Sequence, residues 1–188
     1  MLAKPTASAS PSSRPVNRFA DLLAPGRVLC NVEARGQKHA FEIISELLAS
    51  ADHGIGASEI FDSLIRRERL GATGLGRGVA LPHGRAQNLE KTIAAVLILR
   101  EAIPFDAPDD EDVRVVFGML VPEQASEEHL ENLSIVARQL LKPGFIASLL
   151  EAGSSSALHE LFLAADGEDA TESTANESSV PSPAASTD

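Results

Sequence analysis

The chain has 188 residues, 44% of them hydrophobic, and a formal net charge of −11 at pH 7. That length holds one domain with a sizeable core plus flanking segments, and no apolar run is long enough to span a membrane. The acidity and the lack of Trp and Tyr speak against nucleic acid as a partner, and a single cysteine, Cys30, rules out an internal disulfide and a cysteine metal cluster.

Charge divides unevenly along the chain. Residues 1–18 hold Lys4, Arg14 and Arg18 and no acid, are rich in Ser and Pro, and lack the apolar stretch of a secretory signal. They read as a disordered arm. Residues 166–188 hold Asp166, Glu168, Asp169, Glu172, Glu177 and Asp188 and no base, and read as a disordered acidic tail. One domain is expected between them, over 19–165, in a cytoplasmic protein.

Val28–Val32 reads as a short strand holding Cys30 as a small hydrophobe. Gln37–Ser50 reads as a helix, with Ala40, Phe41, Ile44, Leu47, Leu48 and Ala51 at helical spacing. A second helix is expected over Ser58–Leu70, with Ile60, Phe61, Leu64 and Ile65 on its apolar face. Arg66, Arg67 and Arg69 fall in its last turn, where cations suit the helix dipole, and Gly71 stops it. Gly71–Gly78 reads as a loop and Val79–Leu81 as a short strand. Thr92–Leu99 and Val113–Val121 are continuous apolar runs, which points to strands covered on both faces. The acidic stretch Ile103–Asp112 links them. Helices are expected over Ser126–Leu141, Phe145–Leu150 and Ser156–Leu163. The order β-α-α-β-β-β-α-α-α gives an α/β fold, in the α+β range, with helices packed on a sheet.

The glycines of Gly71–Gly78 invite comparison with nucleotide loops. A phosphate-binding GxxxxGK[ST] loop needs Lys and then Ser or Thr, and neither follows. A dinucleotide fingerprint follows a strand and opens a helix, whereas this loop follows a helix and leads to a strand. His83 lies between Pro82, which stiffens the backbone before it, and Gly84, which is read as leaving one side of the ring uncovered. Arg67 ends the helix that feeds the same loop. His129 lies in the first turn of the helix capped by Ser126, where free N–H groups favour an anion. His39, His53 and His159 look structural. No histidine pair has metal-ligand spacing and no GxSxG-type nucleophile occurs, so no metal and no cofactor are expected.

The run Arg67-Glu68-Arg69-Leu70-Gly71-Ala72-Thr73-Gly74-Leu75-Gly76-Arg77-Gly78-Val79-Ala80-Leu81-Pro82-His83-Gly84 closely resembles the active-site signature of type-2 enzyme IIA domains of the bacterial phosphotransferase system. The nitrogen-regulatory branch is the nearest. Ile103-Pro104-Phe105-Asp106-Ala107-Pro108, Phe117-Gly118-Met119-Leu120-Val121-Pro122 and His129-Leu130-Glu131-Asn132-Leu133 agree in the same order. The resemblance covers roughly residues 19–165 and implies a mixed β-sheet flanked by helices, the phosphotransferase/anion-transport-like fold. It implies that His83 takes a phosphoryl group on Nε2 from an HPr-like carrier, called NPr in the nitrogen branch. Arg67 and His129 match the family's phosphate-supporting positions. Ala72 stands where many relatives have Ser, and Arg77 where Asn is frequent. Regulated targets such as sensor kinases or potassium transporters follow by analogy. Two other readings stay open: a fructose- or mannitol-type IIA that passes phosphate to a IIB domain, and a non-catalytic binding module of the same fold.

Overall fold

The two continuous apolar runs form the middle of the sheet. In a computed structural model, which describes the backbone of residues 19–124 and 127–175 and the side chains of residues 19–124 and 133–166, they are β5 (Ile93–Ile103) and β6 (Val113–Pro122). The two strands pair antiparallel, with Ala95 opposite Gly118 and Leu97 opposite Val116. Their side chains alternate between two apolar layers. Ala95, Leu97, Leu99, Val116 and Leu120 face α2 (Gln37–Ala49) and α3 (Ala57–Glu68). Ala94, Val96, Ile98, Val115, Phe117 and Met119 face the opposite layer, made by α1 (Phe19–Leu22), α4 (Glu127–Leu140), α5 (Phe145–Glu151) and α6 (Ser155–Ala175). Burial on both faces explains why these strands lack the alternation of a half-exposed sheet. Gly118 belongs to this packing, because a Cβ there would overlap the Ile44 side chain of α2.

The sheet has six strands. β1 (Leu23–Val32) pairs parallel with β5. It begins five residues before the expected strand. Leu23 pairs with Ala94 and Val28 with Val96, so a bulge absorbs Ala24–Arg27 and hides the strand behind a Pro-Gly step. Arg27 donates from Nε to the Ala94 carbonyl at 3.0 Å and from Nη2 to the Leu22 carbonyl at 3.2 Å, where the ladder is broken.

On the other side of β6 lie β3 (Val79–Ala80) and β4 (His83–Ala86), both parallel to it. Ala80 pairs with Val116 and His83 with Met119, so the register holds across Leu81–Pro82. Pro82 has no N–H to give the ladder, but its carbonyl accepts from the Met119 N–H at 2.9 Å. The expected Gly71–Gly78 loop contains β2 (Gly74–Gly76), which forms a hairpin with β3. Arg77 and Gly78 turn it with φ of 57° and 72°, the geometry of a two-residue hairpin turn.

The helices otherwise fall close to their expected places. α6 extends to Ala175, past the expected helix end at Leu163 and the expected boundary at 165, and it runs through Gly167. Asp166 on this helix accepts from the Phe19 N–H at 2.7 Å and the Ala20 N–H at 2.9 Å, tying α1 to α6. Phe19 packs beside Phe162 at 5.0 Å and Phe117 at 5.6 Å between ring centres. The arm expected over 1–18, the tail beyond Ala175 and the Ser126 cap lie outside the described residues. Among the described residues, no single helix is long and apolar enough to cross a membrane.

Candidate functional site

Helical spacing puts Ser63, Arg66, Arg67 and Leu70 on one side of α3 and its C-terminal turn. They line a cleft of about 540 Å³ together with His83, Gly84 and Arg85 of β4, Val121 and Glu123 at the end of β6, and Leu133 of α4. Along β4, Gly84 and Ala86 are buried, His83 is half-buried and Arg85 is exposed. The strand therefore turns its two polar side chains away from the core contact.

Gly84 does not serve to uncover the ring. A Cβ on it would lie 2.7 Å from Ser63 Oγ and 3.2 Å from the Leu64 nitrogen, so the bare backbone lets β4 lie directly against α3. Ser63 then joins the two elements. Its hydroxyl donates to the Arg85 carbonyl at 2.7 Å and accepts from the Arg85 N–H at 2.8 Å. This fixes the last turn of α3, which carries Arg67, against the strand that carries His83.

Arg67 Nε donates to His83 Nε2 at 2.9 Å, and Arg67 Nη1 donates to the Gly71 carbonyl at 2.9 Å. On the other side of the ring, Nδ1 lies 3.0 Å from the Leu81 carbonyl. A carbonyl only accepts and a guanidinium only donates, so the two partners select the neutral tautomer with the proton on Nδ1 and the lone pair on Nε2. Burial pushes the ring's pKa below the ordinary histidine value, and the positive charges of Arg67 and Arg85 act in the same direction. The Leu81 carbonyl and Glu68 oppose them. At neutral pH the imidazole is uncharged and its nucleophilic nitrogen faces a cationic cleft.

Sequence motifs singled out His83 and Arg67, and the fold brings them into contact. His129 lies in the first turn of α4, but its side chain is outside the described residues. Leu133, one turn further along the same helix, lines the cleft. Two contributors carry no sequence signal of their own. Arg85 enters the cleft only because β4 exists, and Ser63 joins it only because α3 meets Gly84. Leu70, 84% exposed, stands at the rim.

The two departures from the family pattern fall between α3 and β2 and on the β2–β3 turn. Ala72 is exposed. Arg77 occupies the left-handed turn position that Asn favours. It ties the hairpin down, donating from its backbone N–H to Asp109 Oδ2 at 2.6 Å and from Nη1 to the Leu141 carbonyl at 2.8 Å. That backbone N–H, with the one from Glu111, holds the Asp109 carboxyl below the ordinary carboxylate value.

Of the remaining histidines, His159 Nε2 on α6 lies 3.4 Å from the Leu23 carbonyl of β1, and His39 and His53 make local contacts. His53 Nε2 lies 2.8 Å from the Leu48 carbonyl and its Nδ1 accepts from the Ile55 N–H at 3.0 Å. His39 Nδ1 accepts from the Arg35 N–H at 3.2 Å.

Comparison with known proteins agrees with this architecture. Residues 21–165 match the family model described as phosphoenolpyruvate-dependent sugar phosphotransferase system, EIIA 2. A nitrogen regulatory protein of Pseudomonas aeruginosa is 40% identical over 144 residues, 77% of this chain and 94% of that protein. One from Klebsiella oxytoca is 38% identical over 133 residues, 69% of this chain and 80% of its own length. The crystal structure of nitrogen regulatory protein IIA-Ntr from Neisseria meningitidis superposes with a TM-score of 0.71 at 33% identity, over 77% of this chain and 98% of that one.

Proposed function

The chain belongs to the type-2 EIIA family of the phosphoenolpyruvate-dependent sugar phosphotransferase system, and on that premise we propose that it is a regulatory phosphocarrier whose His83 accepts a phosphoryl group from an HPr-like carrier of the nitrogen branch. The observation that carries this reading is the held ring: Nδ1–H on the Leu81 carbonyl and the Nε2 lone pair facing a cleft beside a guanidinium.

The Nε2 lone pair attacks phosphorus as the donor's own N–P bond breaks, and that bonding pair stays with the departing donor ring. Positive charge grows on the His83 imidazole as the new N–P bond forms. The Leu81 carbonyl keeps the proton on Nδ1 and shares that charge. Positioning and charge stabilisation supply most of the catalysis, because the group in flight is strongly anionic. Arg67 Nε–H rests on the attacking lone pair in the free protein, so the guanidinium must hand that position over and move to the phosphoryl oxygens. One such charge pair at about 5 Å, with an effective dielectric of about 20, is worth roughly 3 kcal/mol before desolvation. Arg85 adds a second positive charge to the cleft. His129 is assigned to phosphate support by the family pattern and by the place of its helix, whose Leu133 lines the cleft.

Bound phosphate would add about −1.5 to −2 charges at one rim of the protein, enough to change which surfaces dock there. The nitrogen regulatory names of the similar proteins favour a regulatory output. Incubation with phosphorylated NPr and, separately, with phosphorylated sugar-branch HPr tests the reading. An acid-labile, alkali-stable label acquired from NPr and lost in His83→Ala is the expected result. Undiminished labelling of His83→Ala would refute it, and onward transfer to a IIB domain would make the protein a sugar-specific IIA instead.

A further inference from the structure

Glu68 is the last residue of α3 and the neighbour of Arg67, yet its carboxylate turns away from the cleft. Oε1 accepts from the Gln37 side-chain amide of α2 at 2.8 Å and from the Thr73 N–H at 3.2 Å, and Oε2 accepts from Thr73 Oγ1 at 2.5 Å. One carboxylate therefore holds Thr73 by both its backbone and its side chain, and Thr73 is only 4% exposed.

The held residue reaches the ring through a single intermediary. The Thr73 carbonyl accepts from the Leu81 N–H at 2.9 Å, and the Leu81 carbonyl accepts from His83 Nδ1–H at 3.0 Å. Leu81 lies between β3 and β4, so this cross-link stands at the gap between the two strands along β6. Two residues before Thr73, the Gly71 carbonyl accepts from Arg67 Nη1. The three-residue segment from Gly71 to Thr73 thus bears on both halves of the His83–Arg67 pair, and Glu68 is what anchors it to α3.

We propose that Glu68 is a positioning residue: by pinning Thr73 it sets the tautomer and orientation of His83 through Leu81, and the reach of Arg67 through Gly71. The role of these groups in transfer rests on the phosphoacceptor reading above, but the effect on the ring does not. A carboxylate that merely ended the helix would have no line of hydrogen bonds to the imidazole.

The test compares Glu68→Ala, Glu68→Gln and Thr73→Val in the full chain by 15N NMR of the His83 ring and by phosphoryl transfer from NPr. The wild-type ring is expected to show the Nδ1–H tautomer. Glu68→Ala is expected to move it toward a mixture and to slow transfer on the order of tenfold to a hundredfold, because the nucleophile and Arg67 are both displaced. Thr73→Val is expected to shift the ring in the same direction and decides the matter should Glu68→Ala fail to fold. Glu68→Gln keeps an acceptor for Gln37 and the Thr73 N–H and a donor for Thr73 Oγ1, so it is expected to restore the tautomer and most of the rate. Its ring is expected to titrate lower, because the Glu68 charge that favours the protonated ring is gone. A wild-type tautomer in folded Glu68→Ala or Thr73→Val overturns the proposal. Equal losses in the glutamine and alanine variants overturn it as well, by assigning Glu68 to charge alone. Absence of any label on wild-type His83 removes the phosphoacceptor reading instead, and the ring spectra still decide the positioning role.

Discussion

Arg67 competes with solvent for the Nε2 lone pair of His83, and the protein holds that ring nitrogen 2.9 Å from the guanidinium Nε. Burial and positive neighbours favour the neutral ring, so His83 is expected to titrate below the ordinary histidine value in an NMR pH titration. The native ring binds its proton less readily than the unfolded one. Its contribution to stability is therefore complete above the unfolded value and is lost as pH falls toward the depressed native value. Arg67→Ala removes one of the charges that lower the ring, so the same titration is expected to move upward in that variant while the fold is kept. Both residues were legible in the sequence as parts of a motif, and Arg67 also as a basic residue in a helix's last turn. Arg85 was not, because a guanidinium two residues past a histidine has meaning only once β4 makes residues 83 and 85 point the same way.

Elements were legible in proportion to how much of their stability is local or simply apolar. β5 and β6 showed themselves as unbroken apolar runs, and α2 and α3 through the spacing of residues such as Phe41, Ile44, Ile60 and Leu64. β2 and β4 did not. Gly74-Leu75-Gly76 and His83-Gly84-Arg85-Ala86 have poor strand composition, and what makes them strands is pairing, in a tight hairpin with β3 for β2 and at long range with β6 for β4. The contact of α3 with β4 is the joint on which the cleft depends. Gly84→Ala is expected to destabilise the protein by about 1–3 kcal/mol in denaturant unfolding, since the added methyl must displace Ser63 or the strand. It is also expected to weaken the Arg67 contact, visible as a changed His83 ring shift. Unchanged stability and ring shift would show that β4 tolerates the space.

Across the whole molecule, the sheet separates two apolar layers, and the cleft lies where α3, β4, the end of β6 and α4 converge. A sheet with helices packed on it was legible from the order of elements, and its mixed character only through the family resemblance. The closing of the structure by α1 was not, because a four-residue helix carries no periodic signal and depends on Asp166 and on the phenylalanines beneath it. Asp166→Ala removes acceptors for two backbone N–H groups and is expected to cost about 1–3 kcal/mol in thermal unfolding, with no change in the His83 spectrum. The same clasp brings positions 19 and 166 side by side. A short peptide bridge between them is therefore expected to yield a circularly permuted protein, opened at the exposed Glu90–Lys91 step, that folds with its imidazole still in place.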